Sequence, residues 1–126
     1  MKQSSLIAVV LGAGIGGGLR YALGGWMAAR WGVAFPWHTM VINVSGAFLL
    51  GLLMALSVGR GAISPEMRLF LGVGVLGGFT TFSTLAYESV ALLESGLVAQ
   101  GIFNTAGSAV LGILAAMAGV LVGRWI

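Results

Sequence analysis

The sequence predicts an all-α membrane protein, a single unit over residues 1–126 with four transmembrane helices, the third of them broken near its middle. Three observations carry that prediction. Of the 126 residues 59% are hydrophobic and 7% charged, far from the composition of a water-soluble domain, and so short a chain keeps too much surface for its volume to hide that apolar area from water. The few charges divide the chain into four apolar stretches, each long enough to cross a bilayer, which takes roughly 20 apolar residues at ~1.5 Å rise per residue. Glycines and hydroxyl residues crowd one segment of the third stretch, Gly72 to Thr84.

The first stretch runs from Gln3 to Leu19 and continues past Arg20 to Ala29. Lys2 ahead of the apolar run from Leu6, with Met27-Ala28-Ala29 behind it, superficially resembles a secretory leader. Arg20 interrupts that run before any cleavage site, so a retained span is expected. Gly12 and Gly16 are four apart, the small-residue spacing that lets helix backbones approach closely in lipid.

The second stretch, Trp31 to Gly59, follows the turn chemistry of Gly32 and Phe35-Pro36 and carries Asn43 and Ser45 at its middle. Gly59 to Pro65 and Glu94-Ser95-Gly96 form the remaining connections. All are short, which makes successive helices antiparallel neighbours.

The third stretch, Leu69 to Tyr87, departs from the others. Gly72, Gly74, Gly77 and Gly78 lead into Phe79-Thr80-Thr81-Phe82-Ser83-Thr84, and so many poor helix formers predict a break around Gly77 to Thr81. Non-helical backbone at membrane depth is tolerated only when buried in protein or facing a water-filled cavity, and its freed carbonyls suit a hard cation. The plainer alternative is a glycine-rich kink steadied by hydroxyls bonding back to the helix.

The fourth stretch, Ser95 to Gly123, carries Asn104 and Ser108 one turn apart, which with Gly112 form a narrow, partly polar face. Trp26, Trp31, Trp37 and Trp125 fall near span ends, where an indole favours the headgroup layer. Four spans put both termini on the side that holds Arg60 and Arg68, with Arg30 opposite. The positive-inside rule leans toward cytoplasmic termini.

Composition also excludes functions. Six basic residues scattered along the chain form no cluster for nucleic acid. There is no cysteine, and His38, the single histidine, cannot assemble a metal cluster alone. No histidine base stands beside a serine, and no pair of intramembrane carboxylates or phosphate loop is present, so an enzyme is not expected.

What the spans offer is neutral donors, the groups that can replace an anion's hydration shell without holding it too tightly. Asn43 supplies an amide, or merely glues helices. Phe82 and Leu85 are three apart on the helix that resumes after the break. An aromatic edge can favour an anion, although phenylalanine most often simply packs. Arg20 supplies fixed positive potential toward a vestibule, or else snorkels or pairs with Glu88. Glu88, beyond the hydroxyl run, is given no transport role.

These residues together make the chain similar to the bacterial fluoride channel family known as Fluc or CrcB. Gly12, Gly16, Arg20 and Tyr21 resemble its first-helix pattern, and Thr39, Asn43, Gly46, Phe48 and Gly51 its second. Gly74, then Gly77-Gly78-Phe79-Thr80-Thr81-Phe82-Ser83-Thr84, then Glu88, resembles the family's third-helix signature at its usual spacing.

The resemblance implies a fluoride-selective channel subunit, with one channel domain over residues 1–126, that exports fluoride passively. It implies a multi-pass location in the bacterial inner (plasma) membrane and an antiparallel, dual-topology homodimer with two pores. It also implies a structural sodium ion at the two-fold axis, held by backbone carbonyls of Gly77 and Thr80 from both subunits. The fluoride pathway is then expected along Asn43, Phe82, Ser83, Thr84, Leu85, Asn104 and Ser108, with Arg20 at the vestibule. Leu85 stands where the family usually has phenylalanine, and Asn104 where many relatives have tyrosine nearby, so one ring-edge contact is missing. Two other readings fit four spans: a small proton-coupled multidrug exporter, which needs an intramembrane carboxylate, and a non-transporting scaffold.

Overall fold

The computed structural model describes residues 1–126, and its helices are four in number at membrane-spanning length and hydropathy: α1 (Gln3–Trp31), α2 (Trp37–Gly59), α3 (Pro65–Glu94) and α4 (Val98–Trp125). No strand is present. Helix α3 is interrupted at Thr80 and Thr81, giving α3a (65–79) and α3b (Phe82–Glu94). The expected break is therefore found, at its C-terminal edge.

Helix ends fall where local chemistry puts them. Gly32, at φ 77°, turns the chain out of α1 while its N–H still bonds the Ala28 carbonyl. Trp31 thus closes α1, and α2 starts only at Trp37, after Pro36. Ser64 caps α3a by accepting from the Met67 N–H at 3.2 Å, with Pro65 in the first turn, where its missing donor costs nothing. No stop signal intervenes after the break until Ser95 and Gly96 (φ 80°), so α3b extends past Tyr87 and takes Glu88 into the span.

Helix α1 lies along α3a, and α2 along α4. Both pairs approach backbone to backbone. A Cβ on Gly16 would overlap the Val75 carbonyl, and one on Gly51 the Ala116 carbonyl. In lipid such close packing, rather than apolar burial, is what brings helices together. Only 23 of 126 residues are buried within the chain, so most apolar side chains face outward, as they must in a lipid solvent. The small core of Met27, Ile42 and Phe79 joins α1, α2 and the end of α3a beside the break.

Three segments wind with wider π-helical turns: Ala55–Gly59 in α2, Leu69–Leu76 in α3a and Phe103–Gly107 in α4. Each such turn inserts a residue, so the helix before it is rotated relative to the helix after it. At the end of the bundle where α1 and α3b finish, Phe35 stacks against Trp37 and Phe103, ring centroids 4.5 and 5.6 Å apart. At the other end Arg60 donates to the Arg124 carbonyl, closing the C-terminus of α4.

Candidate functional site

The site begins with the backbone at the break. Thr80 (φ −81°, ψ 158°) and Thr81 (φ −151°, ψ 114°) are extended, as β-branched residues after two glycines allow. The interruption releases polar groups that cannot be left bare at membrane depth. Asn43 on α2 takes both groups of Thr81: its Oδ1 accepts from the Thr81 N–H at 2.7 Å and its Nδ2 donates to the Thr81 carbonyl at 3.0 Å. Arg20 Nε on α1 donates to the Gly78 carbonyl at 3.2 Å. The Thr81 hydroxyl caps α3b, accepting from the Thr84 N–H at 3.2 Å and bonding the Thr84 hydroxyl at 2.9 Å.

Three carbonyls, those of Gly77, Phe79 and Thr80, lose their helical donors without gaining a side-chain one. In an unbroken helix Gly77 C=O would accept from Thr81 N–H, and Thr80 C=O from Thr84 N–H. Both donors are engaged elsewhere. Uncommitted carbonyls on extended or terminal backbone, Gly77 and Thr80 among them, are the donors a hard cation needs.

Beside the break lies a groove of about 460 Å³ that brings together Asn43, Gly77, Thr80, Phe82, Leu85 and Ser108. Phe82 is 82% exposed, so its ring stands out into the open side of the groove, whereas Leu85 is 9% exposed and packed against its wall. Ser108 is 5% exposed and its hydroxyl has no partner within the chain. The groove is otherwise largely apolar. It offers an ion the unpartnered Ser108 hydroxyl, the second Nδ2 hydrogen of Asn43 and the ring edge of Phe82. Thr105 also lines it, with its hydroxyl donated to the Gly101 carbonyl.

Four residues expected on the pathway or at its mouth lie elsewhere in the chain. Ser83 is exposed away from the groove. Thr84 is spent on the α3b cap. Asn104 is fully buried (0% exposed), donating Nδ2 to Ser89 Oγ on α3b at 3.0 Å. The reason is the π-helical turn Phe103–Gly107, which rotates Asn104 away from the face that Ser108 and Gly112 share in the groove. Arg20 does not pair with Glu88; besides its bond to Gly78 it lines a separate pocket with Tyr21 and His38.

Glu88, given no transport role from the sequence, is engaged by α2. Its Oε1 accepts from the Thr39 hydroxyl at 2.6 Å, and its Oε2 is 3.9 Å from His38 Nε2. A signal is there to read: Thr39 and Asn43 are one turn apart on α2, and Glu88 on α3b lies seven residues after the capping Thr81, so the two segments meet in successive rungs.

No group of three or more histidine, cysteine or carboxylate side chains could hold a metal ion. The arrangement is a set of neutral donors and carbonyls along a lipid-depth groove.

Comparison with known proteins gives the relatives of this chain. A family model described as CrcB-like protein, Camphor Resistance (CrcB), matches residues 7–120. The chain is 50% identical over 123 residues to a protein of Thermus thermophilus named fluoride-specific ion channel FluC, covering 98% of this chain and 96% of that one. A protein of Chloroflexus aurantiacus with the same name is 47% identical over 123 residues, covering 98% of each. One from Rhizobium meliloti, again so named, is 44% identical over 122 residues, covering 97% of this chain and 98% of that one.

Proposed function

Because the chain belongs to the CrcB-like family, we propose that it is one subunit of a fluoride-selective channel through which fluoride leaves the cell down its electrochemical gradient. Hydrogen fluoride crosses membranes uncharged from acidic surroundings and dissociates inside, so a passive path for the trapped anion lowers its cytoplasmic level. The observation that carries the proposal is the groove at the α3 break, where Asn43, Phe82 and Ser108 converge on one lipid-depth surface. Its neutral donors fit an ion that must shed water and still leave quickly.

The groove is open on one side, and Phe82 projects from it. A second subunit inserted in the opposite orientation, related by a two-fold axis in the membrane plane, would bring two breaks together and cover both grooves, an isologous contact. The uncommitted Gly77 and Thr80 carbonyls suit a structural sodium ion on that axis, two from each subunit. In this assembly the ion would fix the breaks against each other, while this chain's own Asn43, Arg20 and Thr81 hold each break in shape. The site of action is the inner membrane of a bacterium, with the chain crossing it four times.

The exporter alternative needs a free intramembrane carboxylate to exchange a proton for a cation. Glu88 is the one carboxylate inside the core of a span, and it is tied to Thr39.

Expression in a bacterium stripped of its own fluoride exporters tests the proposal. Growth should return in fluoride that arrests the parent strain, and Ser108→Ala should rescue less well. No rescue by abundant, membrane-inserted protein would contradict it.

A further inference from the structure

His38 is the only histidine of the chain, and nothing in the pathway described above uses it. It stands in the first turn of α2, partly buried, with Nε2 3.9 Å from Glu88 Oε2. The other carboxylate oxygen is already held by the Thr39 hydroxyl at 2.6 Å. Nδ1 is buried and has no partner. The imidazole therefore has one nitrogen aimed at a carboxylate at ion-pair distance, too far for a neutral hydrogen bond.

The charged and titratable surroundings are few. From α3b the imidazole meets Glu88. From α1, Arg20 and Tyr21 line the same pocket of about 430 Å³. On α2 itself its neighbours Trp37 and Thr39 are uncharged. Glu88 is the charged group at ion-pair distance, while the Arg20 guanidinium is turned through Nε to the Gly78 carbonyl.

The carboxylate has a definite place relative to the groove. Glu88 lies two helical turns beyond Thr81, about 10 Å along α3b, and Thr39 one turn before Asn43 on α2. The same two helices that form the Asn43–Thr81 clamp carry the Thr39–Glu88 bond. That separation from the break is close to one Debye length at moderate salt, roughly 10 Å.

We propose that His38 is a positioning residue that sets the charge at the mouth of the pathway by pairing with Glu88. Protonated, it draws in Oε2 and cancels the carboxylate's repulsion of a permeating anion. Neutral, it leaves the negative charge in place and anion access is slowed. Histidine is the side chain that gains charge on mild acidification, so fluoride conductance rises as the His38 side is acidified. The proposal rests on the fluoride-channel reading for its readout, and on the His38–Glu88 geometry for its cause.

The single histidine allows the two to be tested apart. In the full chain, labelled on histidine and reconstituted in bilayers, the titration midpoint of the imidazole resonances should move in Glu88→Gln relative to the unaltered protein, as losing an adjacent opposite charge requires. Fluoride efflux from liposomes, corrected for protein-free vesicles that leak hydrogen fluoride, should rise about three- to tenfold between pH 7.5 and 5.5, and His38→Gln should flatten that rise. Glu88→Gln should be fast and flat, and His38→Asn guards against a folding defect peculiar to glutamine. An unchanged histidine midpoint in Glu88→Gln overturns the pairing. A shifted midpoint with a pH-independent flux, or a pH rise that persists in both His38 variants, overturns the control of access. If no variant passes fluoride at any pH while the midpoint still shifts, the channel reading fails and the pairing stands alone.

Discussion

Replacing Asn43 with leucine removes the one side chain that satisfies both backbone groups of Thr81. The volume changes little and the helix around it is apolar, so the loss is specific to the two hydrogen bonds of 2.7 and 3.0 Å. Leaving a buried donor or acceptor unpaired costs about 1–3 kcal/mol per group, while interhelical hydrogen bonds in membranes are worth about 0.6–2 kcal/mol each because unfolded helices find other partners. The two ranges overlap at a total loss of about 2–4 kcal/mol. That is enough to loosen the break that positions Phe82 and frees the Gly77 and Thr80 carbonyls. Denaturation of Asn43→Leu in detergent, compared with Asn43→Asp, which keeps an acceptor for the Thr81 N–H, measures it. Asn43→Leu should be the less stable of the two, and both should lose fluoride flux, the aspartate because it places a negative charge in the groove. Asn43→Leu that is as stable as the unaltered chain and conducts fully would refute the clamp.

Other outcomes rest on the same geometry. Ser108→Ala removes a buried hydroxyl that has no partner in the subunit, so stability should hold or rise slightly while fluoride efflux falls; a loss of stability with normal efflux would mean the hydroxyl serves packing. Phe82→Leu should cut efflux by about tenfold or more and leave the subunit's own packing intact, since the ring is 82% exposed there; unchanged efflux would remove the ring edge from the pathway. Replacing sodium with a bulky organic cation should slowly inactivate reconstituted protein or dissociate it on gel filtration, and indifference to sodium would count against the carbonyl site at Gly77 and Thr80.

The four helices are legible in hydropathy because lipid imposes it along whole spans, and the break is legible because Gly77, Gly78, Thr80 and Thr81 all resist helix at one place. The partner that stabilises the break is not. Asn43 is 38 residues from Thr81 in sequence, and their meeting depends on the register between α2 and α3, which no local pattern encodes. A regular 3.6-residue period puts Asn104 on the wrong face, because the helix widens by a residue at Phe103–Gly107. Ser108 and Gly112, beyond that turn, keep their expected face. Ending the third span at Tyr87 leaves Glu88 outside it, whereas the first strong stop chemistry comes at Ser95-Gly96. The departure at Leu85 is visible in the structure as a well-packed wall of the groove, so its side chain shapes the path without offering an ion any polarity.

The central claim is that this groove passes fluoride and discriminates against other halides. Purified, unaltered protein in liposomes loaded with potassium fluoride or potassium chloride, with valinomycin carrying the counter-ion and an ion-selective electrode outside, measures it directly. The account predicts rapid fluoride release on adding valinomycin, little release without it, and chloride release indistinguishable from protein-free vesicles. No fluoride release from folded protein, or chloride release as fast as fluoride, would contradict it.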